Sequence, residues 1–255
     1  MATFAHSQAT TGSNNNANST TLTVTLPNNP ATGDLVVVGF TWANGASTQP
    51  SVPTVVDSSS NSYTISPKSP SSTQGAGAGF AYAFYLLSAP STATKSIKAT
   101  YQSTGGGAVH AAILQIDDFN VTGSISFFAD AVGASSSGGT INNPTITSGA
   151  AGDLLFCHAT PANSISTVNS PWTKGVIDSD GQATGYILSA STGGTAVNMT
   201  QVSGAWDSIA LAFTTSSGAT SAAAGMLFAA PLTGIGSRNR FFGDRLSYSI
   251  LRSYA

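Results

Sequence analysis

The sequence carries very little charge. Only 7% of its 255 residues are charged, it contains no Glu, and all ten of its acidic residues are Asp. An ordinary soluble domain has roughly 25% charged residues, so uncharged polar and small residues must cover most of this surface. Such a surface repels its neighbours weakly, which suits subunits that pack side by side. It equally suits a secreted or surface protein with neutral polar loops, and composition leaves both interpretations open.

Cysteine and long apolar runs are also scarce. Cys157 is the single cysteine, so an intrachain disulfide is excluded, and its place in an apolar run predicts a buried, inert thiol. Residues 1–6 contain no basic or apolar segment, so we expect no signal peptide. The longest apolar stretch, residues 222–235, is broken by two Gly and one Pro. It is shorter than the roughly 20 residues of a membrane-spanning helix, so we expect no membrane span.

The few charges are distributed unevenly along the chain. Residues 1–237 carry four Lys and nine Asp, a formal net charge of −5. Residues 238–255 carry four Arg and one Asp, a net charge of +3. The C-terminal segment is therefore chemically distinct from the rest. Because only this segment is basic, we do not expect the chain to bind nucleic acid.

Short apolar or alternating runs, separated by turn residues, fill the chain up to residue 216. Residues 20–26 read Thr-Thr-Leu-Thr-Val-Thr-Leu, and this period of two is typical of a half-buried strand. Such runs recur at a spacing of roughly 8–12 residues, and none before residue 217 shows a sustained helical period. The pattern predicts an all-β protein made of antiparallel sandwiches or a jelly roll.

Three motifs occur twice, in the same order. The pairs are Ala-Thr-Gly-Asp-Leu-Val-Val-Val (31–38) with Ala-Ala-Gly-Asp-Leu-Leu-Phe-Cys (150–157), Tyr-Leu-Leu-Ser-Ala (85–89) with Tyr-Ile-Leu-Ser-Ala (186–190), and Ala-Ile-Leu-Gln-Ile (112–116) with Ile-Ala-Leu-Ala-Phe (209–213). The offsets are 119, 101 and 97 residues. A Gly-Asp turn before an apolar run predicts a buried strand. We therefore expect two tandem, pseudo-repeated antiparallel β-sandwiches of jelly-roll type, with one large jelly roll as the alternative.

This interpretation divides the chain into four segments. They are an N-terminal arm (1–19), a first β-sandwich (20–120), a second β-sandwich (121–216) and a C-terminal docking tail (217–255). The arm is polar and contains His6. We expect it to be mobile unless a partner holds it.

Catalytic and metal-binding patterns are weak throughout. Asp117 and Asp118 are neighbours, so on a strand they point to opposite faces, and we expect them to end a strand rather than form a hydrolytic pair. Cys157 and His158 diverge in the same way, which argues against a nucleophile beside its base. Residues 178–181, Asp-Ser-Asp-Gly, resemble a fragment of a calcium loop but equally an ordinary hairpin turn. We expect no enzyme activity, no catalytic residue, no metal and no cofactor.

Two tryptophans are candidates for carbohydrate binding. Sandwich modules that bind sugars stack them on exposed aromatic rings. Trp42 ends an apolar run just before Asn44 and Gly45, and Trp172 follows Pro171 at a loop. Either ring is a possible stacking platform for a sugar. The alternative is that both are buried packing anchors.

The C-terminal tail combines Arg with aromatic and apolar residues beyond the predicted fold. Phe242, Leu246 and Ile250 share a face if it is helical, whereas Leu246, Tyr248 and Ile250 share one if it is extended. These residue types are enriched in interfaces. We expect the tail to dock on a neighbouring subunit, for example by adding a strand to its sheet, with folding back as the alternative. The predicted interface residues are Arg238, Arg240, Phe241, Phe242, Arg245, Leu246, Tyr248, Ile250, Arg252 and Tyr254.

Taken together, the motifs resemble a known kind of module. They include Thr-Val-Thr-Leu (23–26), Gly-Asp-Leu-Val-Val-Val (33–38), Phe-Tyr-Leu-Leu-Ser-Ala (84–89), Ala-Gly-Asp-Leu-Leu-Phe (151–156) and Ala-Trp-Asp-Ser-Ile-Ala-Leu-Ala-Phe (205–213). Over about residues 20–215 the chain is similar to the duplicated Gly-Asp-Leu β-sandwich modules of bacterial surface proteins and of phage tail, fibre and decoration proteins.

The resemblance implies a structural role rather than an activity. The expected protein is a homo-oligomeric subunit at a virion or extracellular surface, with other virion or filament subunits as partners. A phage virion surface protein is the preferred interpretation. A carbohydrate-binding module that meets a cell-surface glycan and a subunit of a bacterial surface filament are the alternatives.

Overall fold

The computed structural model of the chain describes residues 3–16, 18–42, 52–70, 79–102 and 112–216. All regular secondary structure in these residues is β, which confirms the predicted all-β class. No membrane-spanning helix occurs in this part of the chain. Its strands are β1 (Thr3–Asn14), β2 (Thr21–Thr25), β3 (Leu35–Trp42), β4 (Thr54–Asp57), β5 (Thr64–Ile65), β6 (Phe80–Leu86), β7 (Ser96–Thr100), β8 (Ala112–Thr122), β9 (Ser124–Ser135), β10 (Thr140–Ile141), β11 (Thr145–Ser148), β12 (Asp153–Pro161), β13 (Ile165–Val168), β14 (Thr173–Ile177), β15 (Ala183–Ala190), β16 (Gly193–Ala196), β17 (Met199–Gln201) and β18 (Trp206–Ser216).

The strands form two large sheets and three small ones, and all their pairings are antiparallel. Sheet A has the order β1-β8-β3-β6-β5 and sheet C the order β14-β15-β12-β18-β9. Sheet B has the order β2-β7-β4, sheet D the order β10-β17-β13, and sheet E pairs β11 with β16.

Three apolar clusters hold these sheets together. Leu22 of β2, Phe40 of β3 and Ile97 of β7 belong to the first cluster, between sheets B and A. Leu155 of β12 and Met199 of β17 belong to the second, between sheet C and the small sheets D and E. One face of each large sheet is thus covered by smaller sheets, which is the architecture of a β-sandwich.

The third cluster joins the two large sheets to each other. It contains Leu35 and Val37 of β3, and Leu154 and Phe156 of β12. The layers therefore run from sheet B through A and C to sheets D and E. Successive side chains of β3 enter different clusters, because Val36 lies in the first cluster and Val37 in the third. Burial of both faces explains the unbroken apolar runs that follow the two Gly-Asp turns.

The two large sheets have the same strand order when sheet A is read from β1 and sheet C from β9. Val37 lies opposite Tyr85, and Phe156 lies opposite Tyr186, which agrees with the offsets of 119 and 101 residues. The third offset, of 97 residues, disagrees with the registers of β8 and β18.

The registers correct the third offset from 97 to 94 residues. Leu35 lies opposite Phe119, and Leu154 lies opposite Phe213. A shift by three residues exchanges the two faces of a strand. Because both faces are apolar, hydrophobic pattern alone did not reveal this shift.

The prediction that the N-terminal arm is mobile is also wrong. Residues Thr3–Asn14 form β1, which pairs with β8 over its whole length at the edge of sheet A. The polar composition of these residues resembles that of a loop, which is why sequence predicts an arm here. On an edge strand the backbone ladder supplies the attachment, so the side chains need not be apolar.

The first Gly-Asp motif closes a hydrogen-bonded turn. Gly33 has φ of +94°, a conformation that favours glycine. The Asp34 carboxylate accepts the Ala31 N–H at 2.8 Å, and the Gly33 N–H donates to the Ala89 carbonyl at 2.8 Å. The motif at 85–89 therefore recurs with the Gly-Asp motif because backbone hydrogen bonds join the two motifs.

The second copy repeats this geometry. Gly152 has φ of +96°, and its N–H donates to the Ala190 carbonyl at 3.0 Å. The Asp153 carboxylate accepts the Ala150 N–H at 2.9 Å. In both copies a short, buried carboxylate caps the backbone where a central strand begins.

Replacing Asp34 with Ala should lower the free energy of unfolding by about 1–3 kcal/mol, because the Ala31 N–H and the Asn120 amide lose their acceptor. Urea denaturation measures the change. The exposed Asp180→Ala is the matched control and should change stability by less than about 0.5 kcal/mol. Equal effects of the two substitutions would contradict the capping role.

Candidate functional site

The two tryptophans predicted to stack on sugars are buried. Trp42 is 1% exposed and Trp172 is 4% exposed. The Trp172 indole donates to the Ala196 carbonyl at 2.8 Å, and the Trp42 ring lies 6.1 Å from that of Tyr101. Prediction of these residues as sugar platforms is wrong, since large rings at strand ends are here needed for packing.

The predicted assembly residues, Arg238, Arg240, Phe241, Phe242, Arg245, Leu246, Tyr248, Ile250, Arg252 and Tyr254, lie outside the described residues.

The adjacent Asp117 and Asp118 lie in the interior of β8, and both are buried. They do not end a strand, so that prediction is wrong. They do face opposite ways: Asp117 bonds Thr184 of sheet C, whereas Asp118 bonds Gln8, which also contacts the loop carbonyl of Asn28. A carboxylate can remain in this interior because polar partners from other elements reach it.

Asp117 joins β1 to sheet C. The His6 Nε2 lies 2.9 Å from Asp117 Oδ1, and the Thr184 hydroxyl donates to Asp117 Oδ2 at 2.7 Å. The Thr184 oxygen in turn accepts the Val176 N–H at 3.0 Å. The His6 ring stacks on Tyr186 at 4.5 Å. His6 is therefore a packed member of the interface between the large sheets and not part of a mobile arm.

Asp118 lies on the opposite face of β8. Burial raises its pKa from 3.8 to about 6, the bond from Gln8 opposes this, and the charge of Asp34 adds to it. The Gln8 amide donates to Asp118 at 2.8 Å and to the Asn28 carbonyl at 3.1 Å, and its oxygen accepts the Asn28 N–H at 2.9 Å. Gln8 thus uses its whole amide group to attach β1.

His158 is the centre of a second buried network. Its Nδ1 lies 3.0 Å from Gln115 Oε1, and its Nε2 lies 2.9 Å from the Thr41 hydroxyl. Because the Gln115 amide nitrogen donates to the Gln182 carbonyl, the Gln115 oxygen is the acceptor, and His158 carries its proton on Nδ1. Burial lowers the pKa of His158 to about 3, so the ring is neutral at ordinary pH.

The hydroxyl, imidazole and amide of this network are ordered like a nucleophile, its base and an orienting group. However, Thr41, His158 and Gln115 are all 0% exposed, so no substrate reaches them. A base of such low pKa would also accept a proton poorly near neutral pH. The network therefore joins the sheets and has no arrangement for catalysis. Cys157 lies in a different cluster, and burial raises its pKa well above the ordinary value.

Most carboxylates of residues 1–216 are buried. Of the nine Asp within residues 1–216, seven are buried: Asp34, Asp57, Asp117, Asp118, Asp153, Asp178 and Asp207. All four Lys are exposed. The formal charge of −5 therefore does not describe the surface, which shows few carboxylates.

The calcium-like fragment is a hairpin turn. Asp178 Oδ1 accepts the Asp180 N–H at 2.6 Å, the Gly181 N–H donates to the Asp178 carbonyl, and Gly181 has φ of +89°. Across the described ranges, no group of three His, Cys, Asp or Glu side chains is placed to hold a metal ion.

Sequence reasoning missed the pairing of His6 and Gln8 with the two aspartates. The available signal was the Asp-Asp pair within an apolar run, since buried acids require polar partners. The partners themselves lie more than 100 residues away and could not be assigned from spacing.

Comparison of the chain with protein-family models, with curated proteins and with solved structures finds no match in any of the three.

His158 and Asp118 should have opposite effects on pH dependence. The folded pKa of His158, about 3, is below its ordinary 6.5, so its contribution to stability is complete above pH 6.5 and is lost as the pH falls towards 3. The folded pKa of Asp118, about 6, is above 3.8, so its contribution is complete below that value and is lost as the pH rises to 6.

Urea denaturation from pH 4 to 6 measures both effects. The stability of wild type relative to His158→Gln should fall by about 1.4 kcal/mol per pH unit of acidification. The stability of wild type relative to Asp118→Asn should change in the opposite direction. A pH-independent difference for either variant would contradict the corresponding assignment.

Gly39 lets β3 approach His158. A Cβ at this position would lie 2.6 Å from the His158 ring, so Gly39→Ala should cost about 1–3 kcal/mol. The same substitution in a His158→Ala background should cost much less, because the obstructing ring is gone. Additive effects in this double-mutant cycle, measured by thermal denaturation, would show that the contact is unimportant.

Proposed function

We propose that the protein is a non-enzymatic structural subunit of a larger assembly, namely a phage virion surface protein of the decoration, fibre or tail-associated kind. The sandwiches form its body, and the Arg- and aromatic-rich tail attaches it to neighbouring subunits. The observation that carries the proposal is the burial of seven of the nine body aspartates. It leaves a surface of hydroxyls, amides and a few lysines, which opposes close packing of copies only weakly.

Burial of the acids also limits how the tail can bind. A body with a net charge of −5 on its surface would attract four arginines over a distance, but most of these carboxylates are internal. We therefore expect the aromatic and apolar side chains and the backbone of the tail to supply most of the affinity.

Two edge strands offer backbone for such binding. Within the described ranges β1 pairs only with β8, and β9 pairs only with β18, and each has 12 residues. An edge strand presents N–H and C=O groups that an added strand can use. Lys68 already contacts β9 at the Asp130 carbonyl, at 2.8 Å, so the remainder of this edge and that of β1 are the candidate acceptors.

Light scattering of the full-length protein and of a 1–219 truncation tests the proposal. Only the full-length protein should be oligomeric, and its mass should change little between about 50 mM and 500 mM salt, because screening affects mainly exposed charges. Circular dichroism should show that the truncation keeps its β structure. Normal assembly of a folded truncation, or a full-length monomer at every concentration, would contradict tail-mediated assembly.

A bacterial surface filament is the second candidate, because a tail that binds the next copy can equally generate an open polymer. Electron microscopy separates the two: closed rings or short complexes favour the virion subunit, and unlimited fibres favour the filament.

A further inference from the structure

Sheet B presents a hydroxyl-rich face to solvent. In β2, β7 and β4 the apolar residues point into the first cluster, and the alternate residues point outward. The register places Thr23, Lys98 and Val56 side by side across the three strands. Lys98 is thus the cation at the centre of an otherwise uncharged row.

This row forms the floor of a groove of about 350 Å³, which lies at the lower end of the range of about 300–1,000 Å³ for small-ligand sites. Its lining residues are Thr23, Val56, Asp57, Ser58, Ser60, Ser96 and Lys98.

One wall of the groove is held rigidly by Asp57. Its carboxylate accepts the N–H groups of Ser59, Asn61 and Thr94 and the Asn61 side-chain amide, at 2.8–2.9 Å. Burial alone would raise the pKa of Asp57, but these bonds outweigh it and hold the pKa below its ordinary value. The buried carboxylate therefore organises the turn and has its acceptor capacity occupied.

The same turn positions two serines. The Ser58 hydroxyl lies 2.7 Å from that of Thr94, and Ser60 is fixed with φ of +67°. A non-glycine residue in this left-handed region is uncommon and is maintained by surrounding bonds. The groove is thus pre-organised before any ligand enters.

Several polar groups of the groove have no partner within the described part of the chain. They are the hydroxyls of Thr23, Ser60 and Ser96 and the ammonium group of Lys98, and the described residues contain no ion pair that involves Lys98. Their donors therefore face the groove or solvent. The side chain of Val56 and the methylene stem of Lys98 give the floor an apolar component.

From this combination we infer that the groove binds a carboxylated sugar, a uronic or sialic acid residue. Hydroxyls match the hydroxyls of a sugar ring, the apolar floor matches its C–H face, and the Lys98 ammonium pairs with its carboxylate. A simple phosphate fits less well, because the lining residues include no arginine, a single lysine and the ionised Asp57, which repels a dianion more strongly than a singly charged carboxylate. The site lies in sheet B and does not depend on the tail, so assembly and sugar binding can fail separately.

Titration of the full-length protein with sodium glucuronate, N-acetylneuraminate and glucose, followed by NMR or calorimetry, tests the inference. At least one acidic sugar should bind saturably and more tightly than glucose. The relative affinities of glucuronate and N-acetylneuraminate then show whether the groove prefers a uronic acid or a sialic acid. Lys98→Gln should weaken that binding about tenfold, which corresponds to about 1.4 kcal/mol, because it removes the charge-assisted hydrogen bond to the sugar carboxylate. Lys98 points outward, so the substitution leaves the core intact.

Two further variants make the test specific. Lys95→Gln removes another exposed lysine, which lies outside the lining set, and should leave binding unchanged. Thr23→Val keeps the shape of the floor but removes a hydroxyl, and should weaken acidic and neutral sugars alike. The inference would be overturned if no acidic sugar binds saturably, or if glucose binds with equal affinity. It would also be overturned if Lys95→Gln weakens the affinity for the acidic sugar as much as Lys98→Gln does, or if Lys98→Gln keeps the wild-type affinity.

Discussion

Mutual burial of the two five-stranded sheets is the constraint on which the rest of the structure depends. It leaves β3, β12 and most of β8 without a solvent-facing side, so polar groups on the inner faces of these strands need partners within the interface. Thr41, Gln115 and His158 meet this requirement with one another. Their bonds require a specific alignment of the sheets, whereas apolar contacts alone would tolerate sliding.

Most acidic side chains of the body are also buried and used within the fold. Asp has a short side chain that can accept backbone N–H groups from its own turn, as Asp34, Asp57 and Asp153 do. Carboxylates that lie in turns and interfaces do not contribute negative charge to the surface. What remains outside is four Lys, the exposed Asp180 and the half-buried Asp130. This low surface charge links the internal hydrogen bonding of the body to the proposed role as a closely packed subunit.

The fold was largely predictable from sequence, because Gly-Asp turns followed by apolar runs carry a local signal. Strands buried on both faces carry no signal for register, so the apolar pattern alone misplaces the third motif by three residues. The polar pattern of β1 predicts an arm rather than a strand, because an edge strand needs no apolar pattern. The groove beside Lys98 could not be predicted, since it depends on the register of β2, β7 and β4 and on a turn held by Asp57.

The most direct measurement of the central claim is a photo-cross-link from the tail. A photoreactive phenylalanine analogue at position 242, in a mixture of ordinary and ¹⁵N-labelled full-length protein, reports which molecule the tail touches. Attachment to neighbours predicts cross-linked peptides that combine the two isotopes, with the tail joined to the sandwich body of another copy. Cross-links found only within single molecules would show that the tail folds back on its own chain and would contradict the proposed assembly.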